Sequence, residues 1–236
     1  IACSYILGIP HPPGAPFYLL IGRIFTMLPF AADIGLRVNA VSAISSSLTV
    51  MLTYLIVVRL IKQWRGAPKN SYDMLILVAS GMLAAMSFAF TDTFWFNAVE
   101  AEVYAISMLF TALVVWLILV WLEKSDQPHS ERYILIIAYL IGLAIGVHLL
   151  MILALPAIFL IIYFRTLEQR GEKINLKNLA IFAGITLVSF GAIYPGVVQM
   201  IPRKALALGS WSLLVLVVVL VAAIAWAVMN HKKYMS

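Results

Sequence analysis

The amino-acid sequence predicts an all-α, polytopic membrane protein of about seven transmembrane helices plus one interfacial helix. Three observations predict it. Of the 236 residues, 64% are hydrophobic and only 11% are charged. The mean hydropathy is +1.02. The basic residues are scattered between long apolar runs rather than gathered. Ordinary soluble domains are about 45–50% apolar and about 25% charged. A soluble fold cannot hide such an excess, so the bilayer must be the solvent. This excludes a soluble enzyme, a disordered tail and a nucleic-acid module. The net charge of +6 is dispersed in the manner that encodes orientation in a membrane. A lone Cys3 forbids an intrachain disulfide. The chain starts at Ile1 without a Met or a signal-peptide pattern, and is expected to be part of a longer polypeptide.

In chain order, the first segment is Ile9-Pro10-His11-Pro12-Pro13-Gly14-Ala15-Pro16, a stiff loop carrying one imidazole. Between Pro16 and Pro29 lie only 12 residues, roughly 18 Å as a helix, too short to span. This stretch is the expected interfacial helix. Spans are expected at Val38–Val58, Met74–Phe90, Val99–Leu122, Leu179–Met200 and Trp211–Met229. The run Tyr133–Phe164 is too long for one ordinary span and is read as two short spans meeting near Val147–Leu149. Seven crossings follow, with the N-terminus outside. Twelve of the 16 basic residues then lie in inside loops and only Arg23, Arg37, Arg203 and Lys204 lie outside. Making Tyr133–Phe164 a single span, or letting Pro16–Pro29 cross, weakens that bias. No repeat or low-complexity linker divides the chain, so residues 1–236 read as one transmembrane domain.

This orientation gathers unusual residues on the outer side. His11 sits in the proline-rich loop. In Asp92–Tyr104, a regular helix would put Asn97, Glu100 and Tyr104 on one face and turn Glu102 about 200° away from Glu100. One acidic residue is explained by the dipole of a helix start, worth about 0.3–1 kcal/mol; two at bilayer depth are explained less well. Gly142 and Gly146 form a small-xxx-small pair suited to close packing, and His148 follows at the tip of the short hairpin. Arg37 precedes Asn39 at a helix start, where a cation is disfavoured, which points to an anionic partner. Arg203 and Lys204 suit headgroup contacts. No phosphate-binding glycine loop, metalloprotease motif or voltage-sensor helix occurs, and His11, His129, His148 and His231 make no metal motif. No metal ligands are assigned.

Gly8-Ile-Pro-His11-Pro-Pro-Gly14-Ala-Pro16 with Gly22-Arg23 and Arg37-Val-Asn39, then Ala98-Val-Glu100-Ala-Glu102-Val-Tyr104, then Gly146-Val-His148-Leu-Leu, together resemble a large bacterial membrane family. Its eukaryotic relatives are transmembrane protein O-mannosyltransferases. The resemblance runs from Ile1 to about Phe164. It implies a GT-C-like fold and a glycosyltransferase that moves a sugar from a polyprenyl-phosphate donor to an acceptor hydroxyl, protein Ser or Thr being one such acceptor. In that family an acidic cluster is expected just before the position of Ile1, so the catalytic base is expected upstream, with Glu100 and Glu102 as the candidates within the chain. Arg23 or Arg37 would hold the donor phosphate. His11, Tyr104 and His148, with Asn39 and Asn97, would bind the sugar or the acceptor. The lipid-linked sugar is the expected small-molecule partner, beside membrane lipids and a protein or glycan acceptor, with no nucleic acid. The implied location is the bacterial inner membrane with the site facing the periplasm. The competing class is a non-enzymatic transporter or scaffold subunit; Gly191–Pro195–Gly196 is the one break that would suit a transporter.

Overall fold

The computed structural model describes residues 1–10 and 14–211, and beyond these Leu214, Val215, Val218, Val219, Val221, Ala222 and Trp226. Its contacts form two compact units, residues 1–174 and 175–236. Among the described residues every regular element is helical. Most of the expected span Trp211–Met229 lies outside the described residues.

The first unit opens with a short helix α1 (Ala2–Ile6) and then α2 (Pro16–Met27). Pro16 suits the first position of α2, where its missing N–H is no loss. Tyr18, Gly22 and Thr26, spaced by four, form the buried stripe of α2. Next comes α3 (Ile34–Arg65), 32 residues long. Asp33 caps its start by accepting from the Gly35 amide at 2.7 Å. Gly66, with φ of 83°, ends it in a conformation open to glycine. Along α3 the buried Ser42, Ser45, Ser46 and Thr49 keep one face small, so that neighbouring helices approach closely.

The chain then returns through α4 (Ser71–Ala89). Its start is doubly capped: Asn70 Oδ1 accepts from the Asp73 amide at 2.8 Å and Asp73 Oδ2 accepts from the Lys69 amide at 3.1 Å. Gly81 of α4 lies against the Tyr54 ring and Val58 of α3, where an added Cβ would stand 2.9 Å from both. A short helix α5 (Asp92–Val99) leads into α6 (Val103–Lys124), then α7 (Glu131–Ile145), a 3-10 turn (Leu149–Ala154) and α8 (Leu155–Gln169).

Contacts at both ends fix the directions of these helices. Asn39 near the start of α3 meets Val99 just before α6, and Arg59 near the end of α3 pairs with Glu123 at the end of α6. So α3 and α6 run parallel. Arg165 of α8 returns to Asp126 and Ser125, in the loop that α7 leaves, so α7 and α8 form a hairpin. The break falls at Gly146–His148, where the sequence expects it. One end of the unit thus collects Arg59, Lys62, Arg65, Lys69, Lys124, Arg132 and Arg165; the other holds Arg37, Tyr104 and His148. The helix α2 lies across this second end. Its first turn touches the hairpin tip, with the Phe17 amide donating to the Gly146 carbonyl at 2.9 Å. Its last turn touches the start of α3, with Arg37 Nη1 donating to the Thr26 carbonyl at 2.8 Å. The short helix expected between Pro16 and Pro29 forms over Pro16–Met27.

Four helical stretches are long and apolar enough to cross a membrane: Ile34–Arg65, Ser71–Ala89, Val103–Lys124 and Met151–Gln169. They carry large apolar side chains on outward faces, Leu75, Met82, Leu83 and Leu160 among them, as lipid-facing helices do. At 15 residues, α7 is about 22 Å long, shorter than a hydrocarbon core of about 30 Å.

Two expectations are corrected. The helix expected from Val99 is broken: Glu100 and Glu102 are both extended, the Glu102 amide donates to the Glu100 carbonyl at 2.9 Å, and α6 starts only at Val103. The helical phase that set Asn97, Glu100 and Tyr104 on one face therefore does not apply. Of the expected glycine pair, only Gly146 meets a neighbour. A Cβ there would stand 3.2 Å from that of Phe17, whereas one at Gly142 meets nothing within 4 Å.

In the second unit, α9 (Leu176–Gly191) begins at Asn175, whose side chain accepts from the Asn178 amide. It passes into a π-helical stretch, Ala192–Met200, which holds Pro195, and then into α10 (Ile201–Leu208). A proline lacks the N–H that an α-helix needs, and widened turns absorb such a loss.

Candidate functional site

A cavity of about 450 Å³ opens at the end of the first unit that α2 covers, within the range of small-molecule pockets, about 300–1,000 Å³. Its wall is built from four chain segments. Cys3 and Ser4 come from α1, and Pro10 and Gly14 flank the proline-rich loop. Ala15, Tyr18 and Leu19 begin α2. Glu102 and Val103 open α6, and Val147, His148 and Leu149 form the hairpin tip. Beneath it, Tyr18, Phe110, Ala144, Val147 and Met151 belong to one apolar core, so the wall rests on a packed base.

The polar groups converge for identifiable reasons. The Asn39 amide nitrogen donates to the Val99 carbonyl at 3.2 Å, which ties the α5–α6 break to α3. The turn at Glu100–Glu102 then delivers Glu102 to the cavity while Glu100, half-buried, is not part of its wall. The rings of Tyr104 and His148 lie 5.3 Å apart at 54°, so the first turn of α6 supports the imidazole. Helices α2 and α6 both start at this cavity, and neither has a side-chain cap. At α2, Pro16 lacks an amide proton and the Phe17 amide is taken by Gly146, so the uncapped amide end at this cavity is that of α6.

Tyr18 is the residue that the sequence reading misses. It is 6% exposed, and its hydroxyl has no hydrogen-bond partner among the described residues. Burial, and secondarily the Glu102 carboxylate, push its phenol up to about 12, so it stays a proton donor at neutral pH. It looked like one more aromatic in an apolar helix; only its buried place beside Glu102 sets it apart.

The other expected site residues lie elsewhere. His11 is outside the described residues, although Pro10 and Gly14 on either side line the cavity. Asn97 spends its amide on the Thr93 carbonyl of its own helix, at 2.8 Å. Arg23 donates to the Tyr5 carbonyl at 2.7 Å and lies over the Tyr5 ring. Arg37 donates through Nε to the Ala31 carbonyl at 2.6 Å as well as to Thr26. Neither arginine lines the cavity. The cation at the start of α3 thus donates to two carbonyl oxygens. Arg37→Lys keeps the charge but cannot reproduce the two-armed contact. It should lower stability by about 1–2 kcal/mol, read as the thermal midpoint of the purified protein, with ligand affinity unchanged.

The helical bundle and its cavity define a polytopic integral membrane protein with an acidic, imidazole-bearing pocket at one end. The family model of the protein O-mannosyl-transferase TMEM260 N-terminal domain matches residues 1–171, and the chain belongs to that family. It is 27% identical over 189 residues to the protein O-mannosyl-transferase TMEM260 of Mus musculus, covering 78% of this chain and 25% of that protein. To the protein O-mannosyl-transferase tmem260 of Dictyostelium discoideum it is 25% identical over 201 residues, covering 79% of this chain and 23% of that protein. The chain thus spans about a quarter of the length of these relatives. No solved structure matches it.

Proposed function

We propose that the chain forms the sugar-donor end of a membrane glycosyltransferase of the GT-C type, with about seven spans. The whole protein takes a sugar from a polyprenyl phosphate to an acceptor hydroxyl, such as a protein Ser or Thr. The observation that carries this reading is the convergence of Glu102, His148 and Tyr18 on one cavity beneath α2. A lipid-borne donor keeps its tail in the bilayer and its phosphate at the interface, which is the level of an interfacial helix. The basic loops mark the opposite end, so the cavity faces away from the cytoplasm.

In the reaction the acceptor oxygen bonds to the anomeric carbon as the bond from that carbon to the phosphate oxygen breaks. The acceptor proton passes to a carboxylate, and polyprenyl phosphate leaves. Glu102 is the carboxylate of this chain placed to take that proton or to orient the reacting hydroxyl. His148, held by Tyr104, hydrogen-bonds the sugar. The relatives' names make mannose the first sugar to test.

The test uses the full-length protein in membranes with polyprenyl phosphate bearing radiolabelled mannose. Label should pass to a Ser- or Thr-containing acceptor and depend on the protein. Donor binding without transfer to any hydroxyl acceptor would favour a carrier over an enzyme.

A further inference from the structure

Two of the buried polar side-chain atoms that lack a partner lie on this one cavity: Ser4 Oγ and the Tyr18 hydroxyl. Ser4 Oγ lies against Gly22, where an added Cβ would come within 2.6 Å of it. A buried hydroxyl without a partner has given up its hydration without return, and such a group calls for a partner. Tyr18 is one turn before Gly22 on the buried stripe of α2, and its ring is held in the apolar core, so the hydroxyl cannot swing out to water.

The chemistry of the wall says what the partner is. Among the described residues it contains one carboxylate, Glu102, one imidazole, His148, and no lysine or arginine. Glu102 lines the same cavity as Tyr18. A phosphate oxygen against Tyr18 would meet that negative charge with no side-chain cation to offset it, whereas a neutral hydroxyl would not. A phenol that remains protonated is a donor, so its partner is a neutral acceptor oxygen.

We infer that Tyr18 is a sugar-recognition residue, donating its hydroxyl proton to a ring hydroxyl oxygen of the donor sugar. This rests on the glycosyltransferase reading above. Tyr18 then discriminates sugar-bearing from bare polyprenyl phosphate.

The experiment compares wild type with Tyr18→Phe in the full-length protein. It measures transfer kinetics with polyprenyl-phosphate mannose, and inhibition by polyprenyl phosphate without sugar. The KM for the donor should rise about tenfold, as expected for one lost hydrogen bond in a dry site. The inhibition constant of the bare lipid phosphate should not change. The thermal midpoint without ligand should stay equal or rise, because the variant removes an unpaired hydroxyl; a hydroxyl with a merely structural role would lower it. An unchanged KM overturns the inference, as does an equal loss for the bare lipid phosphate, which would move the contact to phosphate. Wild type without any transfer overturns the glycosyltransferase reading, and this inference with it.

Discussion

Glu102→Gln in the full-length protein should lower sugar transfer by about 10²-fold or more, with expression matched and stability near wild type. The substitution keeps size and removes only the charge and the capacity to accept a proton. General-base contributions are about 10²–10⁴-fold. Glu102 makes no capping hydrogen bond at the start of α6, so little stability depends on its side chain beyond a dipole effect of about 0.3–1 kcal/mol. Glu100→Gln is the control, because Glu100 stands outside the cavity wall; its effect should be several-fold at most. The opposite order, with Glu100 the sensitive position, would mean that the α5–α6 turn presents its carboxylates the other way round.

Gly22→Ala should loosen α1 from α2. Its Cβ would stand 2.6 Å from Ser4 Oγ and 2.8 Å from Ser4 Cβ, and both Ser4 and Gly22 are buried. Overpacking of this kind costs about 1–3 kcal/mol. The cavity should suffer as well, since Cys3, Ser4 and Tyr18 line it. Ser4→Gly removes the clashing atoms, so the double variant should recover much of the loss, leaving a coupling energy of about 1 kcal/mol or more. Thermal midpoints of the four proteins of this cycle measure it. Simple additivity would show that α1 does not pack on Gly22.

Much of this architecture is legible in the sequence. The apolar runs that become α3 and α4 are continuous and bounded by polar residues, so length and hydropathy find them. The helix α2 lies between Pro16 and Pro29, and its shortness is arithmetic. The hairpin break near Val147–Leu149 follows from a run too long for one span and short for two. The break at Glu100–Glu102 is not legible in the same way, because Ala-Val-Glu-Ala-Glu-Val-Tyr has no glycine or proline to stop a helix. Tertiary contacts make that break: Asn39 holds the Val99 carbonyl, while Phe94 packs on Phe88 and Trp95 stacks on Phe90. Local preference is overridden there, and with it the helical phase that separated Glu100 from Glu102.

The site shows the same division. Glu102, Tyr104 and His148 are polar groups next to apolar spans, and their type draws attention. Tyr18 is silent in the sequence because its value lies in what surrounds it. The arginines are silent for a related reason: Arg23 and Arg37 donate to backbone carbonyls, partners that no sequence pattern announces.

The central claim is that a polyprenyl-phosphate sugar seats its head group in the cavity beneath α2. The most direct test is photo-crosslinking of the full-length protein with a polyprenyl-phosphate sugar analogue carrying a small diazirine on the sugar, followed by peptide mapping. Adducts should concentrate in residues 14–19, 101–104 and 147–149, and excess unlabelled donor should suppress them. Adducts confined to the opposite end of the bundle, around Arg65–Asp73, or unaffected by competing donor, would contradict the account.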